Sequence, residues 1–218
     1  MEDPRRTDID YSRRRISFPE DEGRLKWLPM LLEAYAIVDA GVELALGEHA
    51  GRTGKRLACA KGCDSCCRSQ TDIPLYPLEL VGIYWYAAEK LDGEARSKVK
   101  ERLLFFTKDH PCPFLVRGEC SIHPLRPVSC RQFNVLGEPC SSGEDPYFTR
   151  REDVLTPLRE FTVRAFAAML PFYGIKKESE EEVDRIINGE VRNLRSADWK
   201  KLYKVMEAFE AKNPRAAG

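Results

Sequence analysis

Beyond Trp27, large apolar residues recur as Leu28, Leu31, Tyr35, Val38 and Val42, in steps of three and four that predict a helix. Glu33, Asp39 and Glu43 interrupt this longest apolar region, Trp27 to Leu46, so it reads as amphipathic and not as a membrane span. "GEHAGRTGKR" then ends the pattern with three glycines. "YPLELVGIYWYAAEKL" predicts a second helix, with Pro77 in its first turn and Leu80, Tyr84, Ala87 and Leu91 on one face. Tyr84, Trp85 and Tyr86 are consecutive and face different ways, which suits packing better than a stacking platform. A third helix is expected from Glu94 to Phe106. Leu158, Phe161, Ala165 and Met169 predict another, stopped near Pro171. Val183, Ile187, Val191 and Leu194, then Leu202, Val205 and Phe209, predict two more. The acidic run "ESEEEVD" sits at a helix start, where carboxylates suit the dipole.

Two stretches lack this period. Residues 1–23 are polar and read as an N-terminal arm, with Arg13 to Arg15 a solvated basic triplet. Residues 24–212 are expected to form a single domain. Within it, residues 109–150 hold six of the fourteen prolines and little helical pattern. "PFLVRGECSIH" predicts a short β-hairpin around Arg117 and Gly118. The fold class is therefore mainly α, a helical bundle-like domain with an irregular, proline-rich segment. A loop of that length inside a compact domain needs something to hold it.

Charge narrows the functional classes. Lys+Arg and Asp+Glu are both 35, so the net charge is zero and no global field attracts nucleic acid or an anionic membrane. At 218 residues the chain can bury an ordinary core without a staple. "MEDPRRTDIDYSRRRISFPEDEG" is charged throughout and lacks the apolar run of a secretory signal. A cytoplasmic location is expected, where thiols stay reduced and a cysteine cluster points to metal or redox chemistry.

All eight cysteines fall between Cys59 and Cys140. Cys59, Cys63, Cys66 and Cys67 form a first group in "CAKGCDSCC"; Cys112, Cys120, Cys130 and Cys140 form a second, spread through the proline-rich segment. Small buried hydrophobes would not be confined in this way. Gly62 and Asp64 argue for a tight loop that wraps the first group's sulfurs around an ion or cluster. Neighbouring side chains diverge, so Cys66 and Cys67 are not expected to bind one ion alike, which favours a polynuclear centre or two adjacent sites. Pro113, Pro124 and Pro127 fix the backbone of the second group and lower the entropy lost on closing the loop. Four thiolates around a divalent ion leave excess negative charge, which Arg126 and Arg131 are placed in sequence to neutralise. His123, three residues after Cys120, has ligand-like spacing. His49 and His110 sit in polar surroundings and read as solvent-exposed.

"CAKGCDSCC", followed by "CPFLVRGECSIHPLRPVSCRQF" and a later cysteine, resembles the YkgJ-type cysteine-cluster proteins, a family described as zinc- or iron-chelating. Flagellin lysine-N-methylases carry a related cluster. The resemblance spans Cys59 to Cys140 and implies that all eight cysteines serve a metal ion; His123, Arg126 and Arg131 stand as candidate supporting residues on spacing and charge. The implied cofactor is zinc or iron, an iron–sulfur cluster included, since thiolates suit both. At the tyrosine position of many relatives this chain has His123. Three alternatives stay open. A metal-dependent enzyme follows from the methylase relatives. A radical S-adenosylmethionine-type cluster matches the spacing of Cys59, Cys63 and Cys66 but lacks strand–helix alternation after Gln70. A thiol switch would use Cys66 and Cys67. The sequence points to no particular protein partner.

Overall fold

The structure, a computed structural model, describes residues 10–214. Residues 1–9 of the expected arm lie outside them. The fold is mainly α. In chain order the helices are α1 (Pro19–Arg24), α2 (Leu28–Thr53), α3 (Ser65–Ser69), α4 (Pro77–Glu89), α5 (Gly93–Phe105), α6 (Val128–Gln132), α7 (Pro146–Thr149), α8 (Arg159–Met169), α9 (Glu180–Gly189) and α10 (Trp199–Lys212). The strands β1 (Pro74–Leu75), β2 (Leu115–Val116), β3 (Glu119–Cys120) and β4 (Arg192–Asn193) form two small antiparallel pairs, β1 with β4 and β2 with β3. The described residues divide into two compact units, one from residues 10–56 and 155–190, the other from residues 57–154 and 191–214.

The first unit is built on α2 and α8. Leu28, Leu31, Leu32, Ala34, Tyr35, Ala36, Ile37 and Val38 are all buried, so the first half of α2 is enclosed on more faces than its spacing predicts. Gly54, with φ of 73°, ends the helix in the left-handed region. Close approach to α8 depends on Gly41, where an added Cβ would lie 2.5 Å from Cβ of Phe161. Phe161, Ala165, Phe166 and Met169 are the buried side of α8. On α9, Ser179 accepts a hydrogen bond from the Glu182 N–H and Glu180–Glu182 fill the first turn, as the acidic run predicts. That helix stops at Gly189, so Val191 and Leu194 are not on it. The basic triplet is not simply solvated: Arg14 pairs with Glu43, and Arg15 pairs with Glu22 at 2.5 Å and Glu33 at 3.5 Å, because α1 and α2 present acids to it.

The second unit carries every cysteine. Its core joins Ile83 and Ala87 of α4, Val99 and Leu103 of α5, Phe114, and Trp199, Leu202 and Met206 of α10. Phe114 meets the Trp199 ring edge-on at 5.0 Å, a favoured aromatic geometry. Of the predicted face, Ala87 and Leu91 are buried and Leu80 and Tyr84 pack partly buried against the core; Leu78, Ile83 and Trp85 are buried as well, so α4 is enclosed on more faces than predicted. The predicted hairpin is present, with Arg117 at φ 50° and Gly118 at φ 80°, the two positive values a tight two-residue turn between twisted strands requires.

Candidate metal centre

The first cysteine group enters on an extended run. Leu57 bridges Leu136, and Ala58 N–H donates to the Val135 carbonyl at 2.8 Å. Val135 N–H in turn donates to Sγ of Cys59 at 3.3 Å. Gly62, at φ 85°, reverses the chain, and Cys63 N–H closes the turn on the Ala60 carbonyl at 3.0 Å. Asp64 then clamps Arg68 at 2.6 Å across the short helix α3, which presents Cys66 and Cys67.

The second group is brought to the first by backbone and side-chain contacts. Cys112 N–H donates to the Cys67 carbonyl at 2.8 Å, and the two thiols are hydrogen-bonded. Cys120 ends the β2–β3 hairpin opposite Leu115. Cys130 lies on α6, whose Ser129 hydroxyl donates to the Pro74 carbonyl at 2.7 Å. Gln70 Nε2 reaches Asp145 Oδ1 at 2.6 Å, drawing the stretch beyond Cys140 back toward α3. Cys63 is exposed, Cys112 is buried, and the other six are intermediate; all eight are free thiols.

The thiols form one electrostatic set. Cys66 is pushed far above the ordinary thiol range, first by its hydrogen bond to Cys67 and then by burial. Cys67 is pushed up to about 12, first by its hydrogen bond to Cys112. Burial raises Cys130 well above the usual value, reinforced by charge on Cys66, Cys120 and Cys67. Burial likewise raises Cys59, opposed by the Val135 N–H, and it raises Cys140, with Cys63 and Cys59 acting in the same direction. Cys120 rises for the same first cause, with Arg126 opposing. Cys63 and Cys66 act on Cys59, Cys63 and Cys59 on Cys140, Cys66, Cys112 and Cys120 on Cys67, and Cys66, Cys67 and Cys120 on Cys130.

The supporting residues separate into three kinds. Arg126 favours the thiolate forms of Cys59, Cys66, Cys120 and Cys130, and its Nε is buried with no hydrogen-bond partner. Arg131, 3 % exposed, donates to the Arg126 carbonyl at 3.0 Å and the Pro124 carbonyl at 2.5 Å, so it ties the turn that carries Arg126. His123 is exposed on a single 3₁₀ turn, His123–Leu125. Of the other histidines His110 is exposed, but His49 is half-buried, with Nε2 lacking a partner.

Among the described residues, no group of three or more His, Cys, Asp or Glu side chains is positioned to hold a metal ion. The donor chemistry nonetheless fits a thiophilic cation. Burial disfavours the free thiolate at Cys59, Cys66, Cys67, Cys120, Cys130 and Cys140, and the unpartnered guanidinium nitrogen of Arg126 favours it at Cys59, Cys66, Cys120 and Cys130. Ligation of soft thiols by a metal releases their protons.

Residues 58–154 match the model of the CxxCxxCC family, described as a "putative zinc- or iron-chelating domain". No curated protein and no solved structure matches the chain.

The domain match ends at Val154, yet the same compact unit continues with residues 191–214. Two residues that support the cysteines were missed in the sequence. Glu79, 0 % exposed, accepts from Tyr76 N–H at 3.0 Å and Val128 N–H at 2.6 Å, joining the start of α4 to the start of the Cys130 helix. Its place three residues after Tyr76, at the third helical position, was a capping signal that could have found it. Arg195, 4 % exposed, donates to backbone carbonyls beside both cysteine groups, and no local pattern announces it.

Proposed function

We propose that the protein binds zinc or iron through Cys59, Cys63, Cys66, Cys67, Cys112, Cys120, Cys130 and Cys140. The observation that carries this reading is the mutual contact of thiols from both groups, although Cys67 and Cys112 are forty-five positions apart. Eight thiols are more than the four ligands of one tetrahedral ion, which supports a polynuclear centre or two neighbouring ions. Bound zinc would crosslink the irregular segment, whereas an iron–sulfur cluster would add electron-transfer chemistry.

The chain's own residues would prepare the site. The eight sulfurs give up protons; Arg126 offsets the resulting charge and offers its Nε to sulfur. Arg131 holds that arginine's turn in place, and the Val135 N–H stabilises the Cys59 sulfur. His123, exposed, is left out of the ligand set. A reducing compartment such as the cytoplasm suits a centre that needs every cysteine as a free thiol. No helix among the described residues is long and apolar enough to cross a membrane.

Anaerobic purification, metal analysis and an absorption spectrum test this reading. Stoichiometric zinc in a colourless protein supports the zinc form, and broad visible absorption with iron supports the cluster. Protein that retains neither metal, and takes up neither on reconstitution, overturns it.

A further inference from the structure

We infer that Arg195 is a positioning residue of the metal centre, and that the segment around it, outside the matched domain, fixes the spacing between the two cysteine groups. The inference rests on the metal-binding reading above.

The segment is attached immediately downstream of the first group. Asn193 and Arg192 pair with Pro74 and Leu75 in the β1–β4 ladder, and Leu194 N–H donates to the Ile73 carbonyl at 2.9 Å. Asn193 Nδ2 reaches the Thr71 carbonyl and Asp72 Oδ1, each at 3.0 Å. The Asn193 side-chain oxygen then accepts Arg195 N–H at 2.7 Å, and Trp199 Nε1 donates to the Leu194 carbonyl at 2.9 Å. Those bonds set one single turn, Leu194–Ser196, and aim its arginine inward.

The guanidinium meets backbone oxygens only. It donates to the carbonyls of Lys108 (3.0 Å) and His110, and makes a long contact of 3.5 Å to the carbonyl of Cys67. Lys108 and His110 lead directly into Cys112, whose own N–H bonds to the same Cys67 carbonyl. One side chain therefore spans the point where the two cysteine groups meet. A buried charge is tolerated here because several carbonyl dipoles surround it. The planar fork is what lets it bond carbonyls on two stretches at once, which a lysine ammonium does less well. Nothing in the contacts involves a sulfur, so Arg195 acts on the backbone that carries the ligands.

The test uses the full chain, with zinc as the probe in competition with a chromophoric chelator. Arg195→Lys keeps the charge but not the fork; Leu202→Val trims the shared core on α10 without removing any of the arginine's hydrogen bonds. Outer-shell losses at metal sites typically run about 10–100-fold in affinity. Arg195→Lys should show a loss in that range at unchanged stoichiometry, while Leu202→Val stays near the parent. In the metal-free protein, amide exchange at residues 108–112 should accelerate in Arg195→Lys, with α4 and α10 still protected. If Arg195→Lys fails to keep α4 and α10, Asn193→Ala carries the same test, since it loosens the arginine's turn. It should lower zinc affinity and speed exchange at the same residues. Parent protein that binds neither zinc nor iron removes the underlying reading. Parent protein that binds zinc, with Arg195→Lys losing no more affinity than Leu202→Val, overturns the role of Arg195 alone.

Discussion

Removing the Glu79 carboxylate should be among the most damaging single changes in the cysteine-bearing unit. The side chain is fully buried and accepts two backbone N–H groups, from Tyr76 at 3.0 Å and Val128 at 2.6 Å. The first starts α4; the second starts α6, which carries Cys130 and Arg131. Both donors belong to helix N-termini, where a negative charge is favoured. A hydrogen bond to a charged group contributes about 1.5–3 kcal/mol. Glu79→Ala loses two and leaves the donors buried, so the expected cost is about 3–6 kcal/mol. That is a large share of the roughly 5–15 kcal/mol that stabilises a typical domain. Glu79→Gln keeps one acceptor oxygen and should lose about half as much. Urea denaturation followed by the fluorescence of buried Trp199 measures the loss. Exchange at the Val128 amide shows whether the α6 start opens first. An unchanged midpoint in Glu79→Ala, or an unchanged rate at Val128, would refute the reasoning.

Other changes test separate parts of the account. Gly41→Ala should destabilise the α2–α8 unit by about 1–3 kcal/mol, since its Cβ would stand 2.5 Å from Phe161, and thermal unfolding checks it. Arg126→Gln should lower metal affinity by about 10–100-fold and leave the metal-free helical signal unchanged, as chelator competition and circular dichroism would read. Cys63→Ser, or anaerobic metal removal, should speed hydrogen exchange around residues 59–67 and 109–150 while α2 and α8 stay protected. Loss of all helical signal would instead make the metal a nucleus of the whole fold. Glu144 should titrate at about 2 by carboxyl NMR, because Arg150, then the Ser141 N–H, hold it ionised. Its folded value is depressed, so its contribution to closing the 141–150 loop is complete above the ordinary carboxylate range. It is lost as pH falls toward 2.

Helix positions were legible because α2, α4, α5, α8 and α10 follow the spacing of their apolar residues. Faces were less so. Enclosure of α2 on several sides leaves no polar stripe to mark an orientation, and α4 buries Leu78, Ile83 and Trp85 in addition to the predicted face. The expected helix through Val191 and Leu194 failed because residues 192–193 find strand partners at Leu75 and Pro74, 117 and 119 positions distant, which no local period encodes. At the candidate centre, residue chemistry located the cysteines and Gly62 announced their turn. The meeting of Cys67 with Cys112 and the reach of Arg195 depend on chain paths that converge only on folding. The split between Arg126 and Arg131 was equally hidden, since both sit beside prolines and cysteines in sequence but only Arg131 spends its donors on carbonyls of its own turn.

The central claim is that both cysteine groups serve one metal centre. Alkylation of Cys63 and Cys140, read by peptide mass spectrometry with and without bound metal, tests it most directly. Cys63 is exposed, so any protection it gains on metal loading comes from ligation and not from burial. Metal loading should slow both residues together, at the same metal-to-protein ratio. Protection of one group while the other reacts at its metal-free rate would contradict the account.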